Sequence, residues 1–301
     1  MMSRAIGNVL RMISVVLSLC AALVASAQRT DTFITIDYPG ATVTDLNGIN
    51  DSGEIVGLAT LAGGRRQGFR YNDGVFTDIN YAGALRTEAT AINSQGEVAG
   101  FFQDAGGQFH GFVLNQHDTF TVYDYPDATT GTFALGINPF GTLVGEFKIG
   151  QVFGQQGFAF IYRGGEYEQF VPIGSVTAMA FSINPLGDVV GAMVDAAGRQ
   201  SGWLLDSEGE YTLFSFPGAT ATNPRGINSS GEVVGVYLLG PGVQRAFTMN
   251  NGVLKDFTYP GATSTRLLAI NDCGHMVGTY NLPGDPVRHG FLLAQGDPQC
   301  K

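Results

Sequence analysis

The 301-residue chain carries 26 acidic residues against 16 lysines and arginines, a formal net charge of −10, with only 14% charged residues, 43 glycines and 21 phenylalanines. An acidic surplus of this size excludes nucleic acid and anionic membrane surfaces as natural partners, because both are polyanions. The apolar and aromatic content excludes a disordered chain, and the glycines suit many short strands joined by tight turns.

In chain order, Arg4 and Arg11 precede an apolar run over 12–24 and then Ala25-Ser26-Ala27. This is the order of a secretory signal peptide over residues 1–27, with cleavage after Ala27. The run falls short of the ~20 residues that span a bilayer. Leu19, bulky and directly before Cys20, argues against processing as a lipoprotein. No second hydrophobic span follows, so the mature chain is expected to be secreted, periplasmic or extracellular, and not inserted in a membrane.

Six repeats fill the remainder. Each contains Ile-Asn, two variable residues, Gly, an apolar pair and Gly, with the asparagines at Asn50, Asn93, Asn138, Asn184, Asn228 and Asn271. The spacing of 43 to 46 residues is the length of a four-stranded propeller blade, about twice a β-helix coil. In the first repeat, strands are predicted over 44–50, 54–58, 68–71 and 76–81. Asn50-Asp51-Ser52-Gly53 reads as a type I turn capped by the Asn side chain, and Pro39-Gly40, Pro217-Gly218 and Pro260-Gly261 read as type II turns between repeats. The expected architecture is all-β, a six-bladed β-propeller of four-stranded antiparallel blades in a single domain over 28–301. The blades fall at about 42–83, 84–127, 128–174, 175–218, 219–261 and 262–296, after a closing strand in 28–41 and before a tail at 297–301.

The ends of the chain predict how the ring closes. A fourth-type strand over 33–38 comes before any first strand, and the last repeat ends after a third strand over 289–293. Pairing them closes the ring and removes two exposed sheet edges. Cys273 lies in the Asn turn of the last repeat, on the face where that third strand ends. Cys273 and Cys300 remain after export, and a disulfide between them is expected to pin the tail at a gain of about 3 kcal/mol.

The Gly226–Gly235 segment, Gly-Ile-Asn-x-x-Gly-x-Val-Val-Gly, and the His-Gly-Phe segments at His110–Phe112 and His289–Phe291 resemble the HAF family of probable extracellular repeat proteins. The resemblance covers the whole mature chain and implies export and repetition, with no catalytic residues. Val171-Pro172-Ile173-Gly174 departs from the aromatic-Pro-Gly ending at one junction between repeats.

No nucleophile elbow, zinc-protease helix motif, paired Cys-x-x-Cys or phosphate loop is present. His110 and His289 share a repeat position with Gln67, Gln156, Ser201 and Arg245, which reads as a polar strand position. His117 falls in a loop and His275 opens a strand, so no metal site and no cofactor are expected. Asp51 and Glu54 sit beside Asn turns and read as turn-capping groups. Asn228-Ser229-Ser230 is a glycosylation sequon whose Asn the turn requires.

What varies from repeat to repeat is more informative. Within the first strands, one position reads Asp45, Glu88, Phe133, Met179, Asn223 and Arg266, and a second reads Asn47, Thr90, Leu135, Phe181, Arg225 and Leu268. If these side chains reach the channel mouth, they form a pocket with an apolar wall and a polar wall, suited to a small ligand or sugar. Otherwise they pack between neighbouring blades. The candidate ligand-binding residues are Asp45, Asn47, Glu88, Phe133, Phe181, Asn223, Arg225 and Arg266. The loops between second and third strands, 61–66 and 148–153 among them, vary most and open on the same face. The first expectation is a monomeric, non-catalytic binding module for a glycan or a protein partner. A hydrolase or lyase acting on glycans through carboxylates near the channel is the second, and a structural surface protein the third.

Overall fold

The computed structural model describes residues 31–150, 156–240 and 242–295. The expected signal peptide, the 297–301 tail with Cys300 and half of the 148–153 loop lie outside them. Among the described residues the chain is all-β, with twenty-four strands in three sheets and a single 3-10 turn. No helix among the described residues is long and apolar enough to cross a membrane.

In the first repeat, strands Ala41–Ile49, Ile55–Leu61, Arg66–Asn72 and Val75–Ile79 pair antiparallel with their neighbours in order. They start and end within a few residues of the predicted bounds. The other repeats copy this unit. The last supplies three strands, Ser264–Ile270, Met276–Asn281 and Arg288–Ala294, and Thr32–Thr35 pairs antiparallel with the third. This N-terminal strand ends earlier than the predicted 33–38, because Asp37 leaves the ladder to accept from the Gly290 amide and the His289 ring. Each sheet joins two units through one parallel residue pair: Val43 with Arg288, Phe109 with Gly131, Gln200 with Ala221.

The repeated residues are explained by contacts between and within units. Gly57 must lack a side chain, since a Cβ there would stand 2.1 Å from the Asp45 carbonyl and 2.7 Å from the Phe69 ring. Gly100, Gly145, Gly191, Gly235 and Gly278 meet the same carbonyl one repeat further each time. The ring above each of them, Phe69, Phe112, Phe160, Trp203, Phe247 and Phe291, is fully buried. Between repeats, Tyr81 stacks on Phe102, Tyr125 on Phe147, Phe216 on Tyr237 and Tyr259 on Tyr280, at 3.6 to 3.8 Å between centroids. At the junction that departs from the pattern, buried Pro172 takes the aromatic position and keeps the turn, its carbonyl accepting from the Ser175 amide at 3.0 Å. The residue at the stacking position there is Met193, and opposite Tyr38 it is Ala59.

The Asn turns form as expected: Gly53 has a φ of 82° and donates to the Asn50 carbonyl, while Asn50 Oδ1 accepts from the Glu54 amide. The same side chains also link neighbours. Asn50 donates from Nδ2 to the Asn93 carbonyl, Asn93 to Asn138, Asn184 to Asn228, Asn228 to Asn271 and Asn271 to Asn50, at 3.0 to 3.2 Å. The amide of the Asn228 sequon is therefore buried and engaged.

Candidate functional site

The variable positions of the first strands owe their placement to a β-bulge that recurs in every unit. The register between first and second strands slips across Leu46/Gly48, Ala89/Ala91, Ala134/Gly136, Ala180/Ser182, Pro224/Gly226 and Leu267/Ala269. The extra residue is Asn47, Thr90, Leu135, Phe181, Arg225 or Leu268, the whole second set read from the sequence. A bulge residue leaves the ladder and its side chain is re-aimed. All of these except Leu268 line a cavity of about 90 Å³ between the six first strands and the Asn turns.

Two of them also carry structural bonds. Asn47 Nδ2 donates to the Ala89 carbonyl at 2.9 Å, and Thr90 Oγ1 to the Ala134 carbonyl at 2.8 Å, each in the next unit. Arg225 sits over the Phe181 ring, with its guanidinium carbon 4.0 Å from the centroid.

The first set lies farther from the Asn turns, and its members are divided among local partners. Asp45 accepts from Arg288 at 3.2 Å and faces Arg266 at 3.7 Å. Glu88 meets Arg66 at 2.7 Å and Arg86 at 3.3 Å. Phe133 packs at 4.9 Å against both Phe101 and Phe109, with the Lys148 ammonium 4.9 Å above its ring. Asn223 accepts from Gln200 at 2.5 Å.

Arg66, Phe109, Gln200 and Arg288 were not singled out from the sequence, yet all stand two residues before the Gly-aromatic pair of the preceding unit. Each matches its partner chemically: cation with carboxylate, ring with ring, amide with amide. That covariation between units is the signal that could have found them.

The charges around Asp45 are unbalanced. Arg266 and Arg288 both pair with it, and Arg225 feels it only at longer range. Burial, reinforced by the Arg266 charge, lowers the Arg225 pKa to about 10, against a weaker opposing pull from Asp45. Burial likewise lowers that of Arg266. The Nε atoms of both arginines are buried without a hydrogen-bond partner. Glu146, cross-strand from Phe133, has its pKa raised by burial, with Lys148 opposing.

The histidines behave differently from plain polar strand positions. His110 lies between Asp124 at 2.9 Å and Asp104 at 3.4 Å and stacks on Phe102. His289 lies between Asp37 at 2.7 Å and Asp285 at 3.1 Å and stacks on Tyr280. For both rings burial works to lower the pKa, but the hydrogen bonds and charges of the two carboxylates outweigh it and raise the value. Gln67 bonds Asn80 and Ser201 bonds Ser215 at the same places, so this position also varies in matched pairs. His275 donates from Nε2 to the Gln295 carbonyl at 3.1 Å, and among the described residues no three His, Cys, Asp or Glu side chains gather as a metal site.

No protein-family model matches the chain, and no curated protein matches it either. Among solved structures, it is similar to a putative TolB from Agrobacterium tumefaciens, with a TM-score of 0.55 at 13% identity over 83% of this chain and 89% of that one. The β-propeller domain of the Trilobed protease from Pyrococcus furiosus gives 0.52 at 9% identity, over 83% and 84%. A mutant of the Aleuria aurantia lectin in complex with α-methyl-L-fucoside gives 0.51 at 10% identity, over 89% and 95%. At such identities the likeness bears on architecture alone, and the fold of this chain is that of the β-propeller proteins.

Proposed function

We propose that the chain is an exported binding module, a single domain of six blades closed by the Thr32–Thr35 strand, that takes a small ligand in the cavity between its first strands and the Asn turns. The closure and the count are supported by the antiparallel Thr32–Thr35 pairing, by the six repeated units and by the Asn271 to Asn50 bond between the last unit and the first. The export reading and the HAF resemblance rest on the sequence features over 1–27 and on the repeated core motif. A Cys273–Cys300 bridge belongs to the same reading: reduction is expected to lower stability by about 3 kcal/mol, measured by urea unfolding with and without a reductant.

The observation that carries the binding reading is the bulge. Six units share one backbone irregularity, and five of them use it to aim five different side chains toward a shared cavity. A purely structural ring gains nothing from that diversity. The carboxylates argue for binding over catalysis. Asp45 and Glu88 each face two cations, and Glu146 is turned against the Gly157 backbone.

A glycan array on residues 28–301, with product analysis of every hit, tests this. Binding without turnover is the expected result. Turnover would establish a hydrolase or lyase instead, and silence would favour a structural surface role.

A further inference from the structure

The channel holds more positive charge beside the bulge residues than its surroundings neutralise. Arg225, Arg266 and Arg288 share one carboxylate, that of Asp45, in a chain whose net charge is −10. Arg225 is the most exposed to this imbalance. Among the described residues no carboxylate lies within pairing distance of it, its Nε has no partner, and its planar group rests on the Phe181 ring. It nevertheless borders the cavity, along with Asn47, Thr90 and Leu135.

A buried cation without a partner is costly, and proteins ordinarily pair it or replace it with an apolar side chain. Guanidinium is also the group whose fork of donors matches an oxyanion. A bound oxyanion would satisfy the Arg225 donors and offset the repulsion between Arg225 and Arg266, while Asn47 and Thr90 would orient the attached hydroxyls.

We infer that the ligand is an acidic saccharide whose oxyanion, a uronate carboxylate or a sulfate ester, docks on Arg225 with Arg266 beside it, and whose ring lies toward the apolar wall formed by Leu135 and Phe181. This rests on the binding-module reading and narrows it to one chemical class.

Titration calorimetry on residues 28–301 with trigalacturonate, its methyl ester and a sulfated galactose trisaccharide tests the inference. At least one charged saccharide should bind about tenfold or more tightly than the neutral ester, as expected for one charge-assisted bidentate contact, and more weakly as salt is raised. The uronate and sulfate arms identify which oxyanion is used. Arg225→Met should abolish this preference while the far-ultraviolet spectrum and the unfolding midpoint stay those of the parent. Asp45→Asn, which removes the competing carboxylate, should tighten charged saccharides by roughly threefold at low salt.

Equal affinity for the ester, undiminished binding by Arg225→Met, or weaker binding by Asp45→Asn would each overturn the inference. If neutral glycans bind and Arg225→Met does not matter, the binding module stands and the acidic ligand falls. If no saccharide binds at all, both fall.

Discussion

The two ends of each first strand follow opposite rules. At the Asn turns, six units place the same side chain in the same turn, and in five of them the amide that caps its own turn also donates to the next unit. A few residues earlier, the bulge positions hold an amide, a hydroxyl, two aliphatic chains, an aromatic ring and a guanidinium. The uniform end is constrained because every copy performs the same packing and hydrogen-bonding task. The variable end is released because the bulge removes its side chain from the ladder, so a substitution there leaves the sheet intact.

Breaking the uniform end should cost most. Asn271→Ala removes the bond to the Asn50 carbonyl and the acceptor for the His275 amide, both buried, and should lower stability by about 3 kcal/mol in urea unfolding. Phe69→Leu, which underfills the space above Gly57, should cost about 1.5 kcal/mol by the same measurement.

The histidine pairs give a smaller and pH-dependent effect. The His289 pKa is raised in the folded state, so the stabilisation from its pairing with Asp37 and Asp285 is fully present below the ordinary histidine value and disappears as pH rises through the raised one. Because Asp37 follows the Thr32–Thr35 strand, that pairing ties the N-terminal segment to the last unit. His289→Gln should flatten the fall in unfolding midpoint between about pH 6 and 8, an effect under about 1 kcal/mol.

Arg225→Met should cost least or even stabilise, since an unpaired buried cation gives way to an apolar chain of similar length. The comparison predicts this inversion: the residue with the most to do with a ligand has the least to do with holding the sheets together.

Much of the fold was legible because the sequence repeats what the backbone needs. Asn50 and its copies were readable as turn caps, and the glycines of the core motif as a period. The Asn ring was not readable, because a cap's second proton donor has no local partner to suggest it. The bulge was equally hidden. An extra residue in a first strand leaves the i, i+2 pattern unchanged, so Asp45 and Asn47 looked like equivalent positions on one face. They are separated in space: Asn47 borders the cavity and Asp45 stands among arginines from the last unit. The partners of the first set were missed for a third reason. Arg66 lies one unit before Glu88, and Arg288 at the far end of the chain from Asp45, so only a comparison across units brings them together.

The most direct measurement titrates one ligand from the glycan array into Phe69→Leu and Arg225→Met and records the unfolding midpoint of each. The division of labour proposed here predicts that Phe69→Leu unfolds earlier yet binds as the parent does while folded, and that Arg225→Met keeps its midpoint and loses the ligand. Binding retained by Arg225→Met, or an unfolding midpoint that falls with it as far as with Phe69→Leu, would contradict it.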